Sequence, residues 1–293
     1  MLTLMIVFFA LGGLIAALYP MTAAWLSSYN QSRVIENTLL NLDEITPKPE
    51  AQLDAARLYN EALAAGVKLE SGANVPVGTG NVAGTDLNYD EMLVANSEGL
   101  MGRIKIPGID VDLPIYHGTS DATLLKGAGH LEGSHLPVGG EGTRSVITAH
   151  RGLANSTMFT NLNNVAEGDV FTVETLGEVL TYRVFDIQVI DPSETSSLRP
   201  EAGRDLVTLI TCTPLGVNSQ RIVVTGERIT PTPPGDLSAA GKAPVIPGFP
   251  WWAVIGSGVV LLIAAYAYRQ GVVDARGANA KREAIRARNI TNQ

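Results

Sequence analysis

The chain has 293 residues, room for one or two domains with flanking segments, and a formal net charge of −8. That acidity argues against nucleic acid as the main partner, because phosphate recognition needs a basic face. The single cysteine, Cys212, excludes a disulfide framework within the chain, and an apolar share of 45% is high for a wholly soluble protein.

In chain order, residues 1–30 carry no charge, and residues 2–25 are almost wholly apolar. That run is long enough to span ~30 Å of hydrocarbon. It lacks the basic start of a secretory signal, so residues 1–27 read as a retained membrane anchor in preference to a cleaved signal. Residues 28–66 read as a helical segment broken at Pro47 and Pro49. Pro49-Glu50 makes a helix start and Gly66 a stop, and Leu53, Ala56, Tyr59 and Leu63 between them share one face. Residues 67–98 mix Gly, Asn, Val and Pro without periodicity and read as a long, lid-like loop.

Residues 99–230 switch to period two. Ile104 and Ile106 alternate, as do Ile109, Val111 and Leu113, and further strands are expected at 145–149, 169–175, 179–190, 205–212 and 221–229. These runs are short, β-branched and separated by turn residues, which predicts an all-β barrel or sandwich. Residues 231–249 are proline-rich and read as an extended linker. Residues 250–268 read as a transmembrane helix in preference to a buried core helix, with Trp251, Trp252, Tyr266 and Tyr268 placed as interfacial anchors. The tail 269–293 holds six of the 21 basic and two of the 29 acidic residues, which leaves the rest of the chain at −12. A basic juxtamembrane tail belongs in the cytoplasm, which puts residues 31–249 outside.

The chemistry concentrates in "TLITCTPLGVNSQRIVV". Cys212 ends an apolar β-run, and Arg221 opens the next. If these strands pair, the guanidinium lies near the thiol, where its fixed fork of donors can hold an oxyanion or a substrate carbonyl. A thiol reacts as thiolate and needs a proton partner. Of the four histidines, His150 ends the strand "SVITAH"; His117 sits in a Tyr-His-Gly turn, and His130 and His135 lie in a glycine-rich loop. Position favours His150, with His130 the alternative. A lone cysteine in an apolar strand is otherwise core, and an arginine at a strand start otherwise a solvated edge residue. The histidines lack compact ligand spacing and Cys212 has no cysteine partner, so neither a metal nor another cofactor is expected.

"TLITC" at residues 208–212, with Arg221 downstream, resembles the Thr-Leu-x-Thr-Cys signature of sortases and their arginine, and "ITAHRG" at 147–152 resembles the segment holding their catalytic histidine. "IPGIDVDLPIYHGTS" and "GAGHLEGSHLPVGGEGTRSVITAHRG" are most similar to the pilin-polymerising class C sortases, and the resemblance covers about residues 50–230. It implies an eight-stranded β-barrel with an N-terminal helical segment and two terminal transmembrane helices. It further implies a Gram-positive plasma-membrane transpeptidase with Cys212 as nucleophile, His150 as proton carrier and Arg221 as oxyanion or peptide holder. The implied partners are the lipid bilayer and pilin or surface-protein precursors with an LPxTG-like sorting signal. Alternatives are a housekeeping-type sortase using a cell-wall amine, a cysteine protease releasing product to water, and a non-catalytic assembly scaffold. One departure concerns the lid. Class C sortases often carry an Asp-Pro-aromatic plug, whereas "NVPVG" at 74–78 offers neither charge nor ring. Asp90, with Tyr89 beside it, is the nearest substitute, as a plug pair or as the cap of a short helix.

Overall fold

The computed structural model describes residues 2–63 and 88–291. Gly66 and residues 67–87, which include "NVPVG", lie outside the described residues. The chain divides into a unit of residues 26–248 and a terminal unit formed by Met1–Trp25 with Phe249–Gln293.

Eight strands form a closed barrel: β1 (Leu100–Ile106), β2 (Val111–His117), β3 (Ala128–His130), β4 (Thr143–Thr148), β5 (Val170–Thr175), β6 (Glu178–Ile190), β7 (Asp205–Thr213) and β8 (Gln220–Arg228). Their order around the barrel is β1-β2-β3-β4-β7-β8-β6-β5. β2 runs parallel to β3 and β4 parallel to β7; the other neighbours are antiparallel. Alternation drives the closure. Ile104, Ile106, Val111, Leu113 and Ile115 point into one core with Phe171, Val173, Leu209 and Val224. Each such side chain contributes about 1.5–3 kcal/mol on burial.

Every strand expected from the sequence is present, most with ends moved by a residue or two; β2 runs on to His117, and Ile109 falls in the 3-10 turn before it. β3 and the short helix α3 (Asp121–Lys126) were not expected. Two histidine placements change accordingly: His117 is the last residue of β2, and His130 lies in β3 rather than in a loop.

Helix α1 (Leu2–Leu40) is continuous, so no element boundary falls at residue 27. Its end within the barrel unit buries Gln31 and Ile35. Gln31 Nε2 donates to Lys126 O at 3.2 Å, and Ser27 Oγ donates to Ser156 Oγ at 3.1 Å. Helix α2 (Pro49–Leu63) starts at the expected proline, and the predicted face is the buried one: Leu53, Ala56, Tyr59 and Leu63 pack on Tyr89, Met92, Met101 and Leu136.

The proline-rich stretch is not an extended linker. It forms helix α4 (Pro234–Ala239) and is tied to strand side chains. Thr181 Oγ1 donates to Asp236 at 2.8 Å, Gly241 N donates to Glu174 at 2.9 Å, and Arg103 Nη1 donates to Lys242 O at 2.7 Å. Arg103 is 3% exposed and grips Asp112 through two contacts of 2.6 Å, so the strap closes over a buried ion pair.

In the terminal unit, helix α5 (Trp251–Thr291) runs unbroken through the expected tail. Both α1 and α5 are long and apolar enough to cross a membrane. Trp25 and Trp252 meet edge to face with ring centres 6.1 Å apart.

Candidate active site

β7 is buried from Leu206 to Thr211 and emerges at Cys212, which is half-buried. The sheet thus fixes the backbone carrying the thiol while the residue reaches the barrel surface. In the β7/β8 ladder Cys212 stands directly opposite Arg221. Arg221 is 8% exposed, and its Nη1 donates to Asn218 O at 2.9 Å and Gln220 O at 3.0 Å. The loop 214–219 is wound to present the first of these acceptors, Asn218 O. Val217 N and Asn218 N both donate to Pro214 O, and Asn218 takes the left-handed conformation, φ 57°.

His150 arrives from the other side of β7. The parallel β4/β7 ladder ends with Thr148 opposite Ile210, and His150 and Cys212 lie two positions further along the two strands. Ala149 N donates to Ile210 O at 3.2 Å, and Thr211 Oγ1 donates to Ala149 O at 2.7 Å. His150 O accepts from Phe159 N at 3.0 Å, closing the loop behind the half-buried histidine. Three strands, β4, β7 and β8, therefore bring His150, Cys212 and Arg221 to one rim of the barrel.

Two further groups hold that rim. Arg151 Nη1 donates to Thr213 Oγ1 at 2.9 Å, Nε to Thr160 O at 3.1 Å, and Nη2 to Asn163 Oδ1 at 2.8 Å. Gly152 (φ 74°) packs so tightly on Leu215 that a β-carbon there would overlap it. Sequence reasoning saw Arg151 and Gly152 only as neighbours of the histidine, because their partners lie up to 62 positions away.

The other histidines are placed differently. His130 is fully buried opposite Ile147. Its Nδ1 meets the Tyr89 hydroxyl at 2.9 Å and its Nε2 meets His135 O at 2.8 Å. Burial pushes its pKa down to about 3, so it stays neutral in the core. That removes it as the alternative proton carrier. His117 is held between Gly99 O and Met92 O. His135 is buried, and burial lowers its pKa as well.

Tyr89 and Asp90 form a single 3-10 turn capped by Asn88. The Tyr89 ring is buried, with its hydroxyl on His130 and Gly118 N. It belongs to the core, so Tyr89/Asp90 is not a plug over the thiol; the short helix is present, but Asn88 and not Asp90 caps it.

A sortase-domain family pattern matches residues 104–229. Sortase D of Bacillus subtilis is 29% identical over 132 residues, 44% of this chain and 64% of that protein. The chain thus aligns with less than two thirds of the length of such curated relatives. Among solved structures, sortase C-1 from Actinomyces oris is 47% identical, with 62% of this chain and 99% of that one covered and a TM-score of 0.52. Sortase C1 of GBS pilus island 1 is 36% identical, with 70% and 93% covered and a TM-score of 0.60. With the closed eight-stranded barrel, near-complete coverage of solved sortases at this identity shows that the chain belongs to the sortase family, with class C sortases among its structural neighbours.

Proposed function

We propose that this protein is a membrane-anchored cysteine transpeptidase that cleaves an LPxTG-like sorting signal between Thr and Gly and transfers the new acyl end to an amine, a lysine of a pilin subunit. The observation that carries this reading is the common rim: Cys212 opposite Arg221, with His150 two positions past the last β4/β7 pair. The pilin acceptor rests on the class C likeness.

In this mechanism the Cys212 thiolate attacks the threonine carbonyl carbon, and the carbonyl oxygen becomes an oxyanion. A guanidinium offers several N–H donors in one plane, and Arg221, anchored through Nη1 by Asn218 O and Gln220 O, is the group that meets that charge. His150 as imidazolium gives its proton to the departing glycine nitrogen, leaving a thioester on Sγ and a neutral ring. The ring then takes a proton from the incoming ammonium group, whose nitrogen attacks the thioester and expels the thiolate. One amide is exchanged for another, so no nucleotide is consumed outside the cell. Both termini are cytoplasmic in this reading, and residues 31–249 lie outside, because the basic stretch after Tyr268 resists translocation.

The test uses the full chain in detergent, a sorting-signal peptide and a lysine-bearing acceptor peptide. Intact-mass analysis should find a thioacyl adduct on Cys212 that the acceptor discharges. Cys212→Ala and His150→Ala abolish transfer, and Arg221→Ala lowers it ~10²–10³-fold. Hydrolysis at a rate indifferent to the amine would make the protein a protease instead. Activity lost in His130→Ala but kept in His150→Ala would refute the assignment of the histidine.

A further inference from the structure

We infer that Arg151 is a positioning residue for this reaction, holding the His150 strand end against the Cys212 strand end; the inference rests on the reading of Cys212 and His150 given above. The need for such a tie follows from topology. Cys212 and Arg221 share an antiparallel ladder that continues to Thr213 opposite Gln220, so their spacing is set by backbone hydrogen bonds. His150 has less support. The seam to β7 stops one residue short of it, at Ala149, whose N donates to Ile210 O and whose O accepts from Thr211 Oγ1, and β4 runs parallel to β7, so no turn joins the two strand ends.

Arg151 adds a link on the far side of the histidine, from the residue after it to the residue after the cysteine. Its Nη1 donates to Thr213 Oγ1, while Nε and Nη2 reach Thr160 O and Asn163 Oδ1 in the loop that returns from the histidine. One planar cation thus ties its own strand end to the end of β7 and to the 160–163 loop through three acceptors, a task for a fork of donors that a lysine's single ammonium cannot reproduce. Gly152 tightens the same seam. Its N donates to Thr160 Oγ1 at 3.1 Å, and its missing β-carbon lets Leu215, three residues past Cys212, press against the backbone. A proton carrier displaced by ~1 Å can cost ~10² in rate, so the seam bears on turnover more than on substrate binding.

The experiment measures kcat and KM for peptide transfer by the full chain in detergent. Arg151→Ala should lower kcat about 10²-fold with KM changed by less than about threefold, and Arg151→Lys should recover only part of that loss. Thr213→Val removes only the hydroxyl acceptor. It should lower kcat about tenfold, and Arg151→Ala/Thr213→Val should be no worse than Arg151→Ala alone, because both cut one link. Thr213→Val carries the test if Arg151→Ala does not fold. Wild-type kcat in Thr213→Val, strictly multiplicative effects in the double variant, or a loss confined to KM would each overturn the inference. If the wild-type chain forms no adduct with sorting peptides, the transpeptidase reading fails by itself. Alkylation of Cys212 by iodoacetamide then decides the positioning claim: slowing of about tenfold or more in Arg151→Ala supports it, and equal rates overturn it.

Discussion

His130 makes the barrel sensitive to acid in a way that can be calculated. The ring is fully buried, sandwiched between the Tyr89 hydroxyl and His135 O, and its folded pKa is about 3. In the unfolded chain a histidine titrates near ~6.5. Above about 6.5 both states are neutral and His130 contributes no pH dependence. As pH falls below that value the unfolded chain takes up a proton that the folded barrel refuses, so stability falls with pH until about 3. The slope builds toward about 1.4 kcal/mol per pH unit below 6.5, for a loss of roughly 2 kcal/mol between about pH 6.5 and 4.5. The comparison is His130→Asn, which keeps polar contacts and cannot titrate. Both chains retain His135, so its contribution cancels. Urea unfolding should be followed by the near-ultraviolet dichroism of the buried tyrosines Tyr89 and Tyr182, since Trp25, Trp251 and Trp252 all lie in the terminal unit. The wild type should lose stability more steeply than His130→Asn by about the slope given. Parallel pH dependences would show that the ring is protonated in the folded barrel and that its burial is misjudged.

Two further outcomes are expected. Asp112→Ala removes the two 2.6 Å contacts of Arg103, which is 3% exposed and keeps Lys242 O and a 3.7 Å contact to buried Glu174; the loss should be about 1–3 kcal/mol, read as a shift in the urea midpoint, and no measurable loss would refute the pair's role. External protease on intact protoplasts should digest residues 31–249 but spare a tag placed after Gln293, and loss of that tag would overturn the orientation.

What the sequence made legible follows from how local each signal is. β6 and β7 announce themselves by long β-branched runs, and α2 by four residues on one face, because period and burial are written in consecutive positions. β3 is three residues, Ala128–His130, too short to show a period, and its flanking glycines read as loop. The strap at 231–248 carries no local sign of its packing, because its contacts belong to Arg103, Glu174 and Thr181, which lie far from it in sequence. The same divide runs through the rim. Cys212 and His150 stand where apolar runs end, a local signal, whereas the partners of Arg151 can be named only once β4 lies beside β7.

That parallel pairing also governs when the rim can exist. Thr148 and Ile210 meet across 62 positions of chain, and no hairpin can form their contact early. Ladders of this kind carry high contact order and close late, after the loop entropy has been overcome. Until then the nascent chain holds a cysteine with neither His150 nor the Arg151 seam beside it. In the mechanism proposed above, reactivity is therefore tied to completion of the barrel, and a half-folded chain presents an ordinary thiol to whatever peptides surround it.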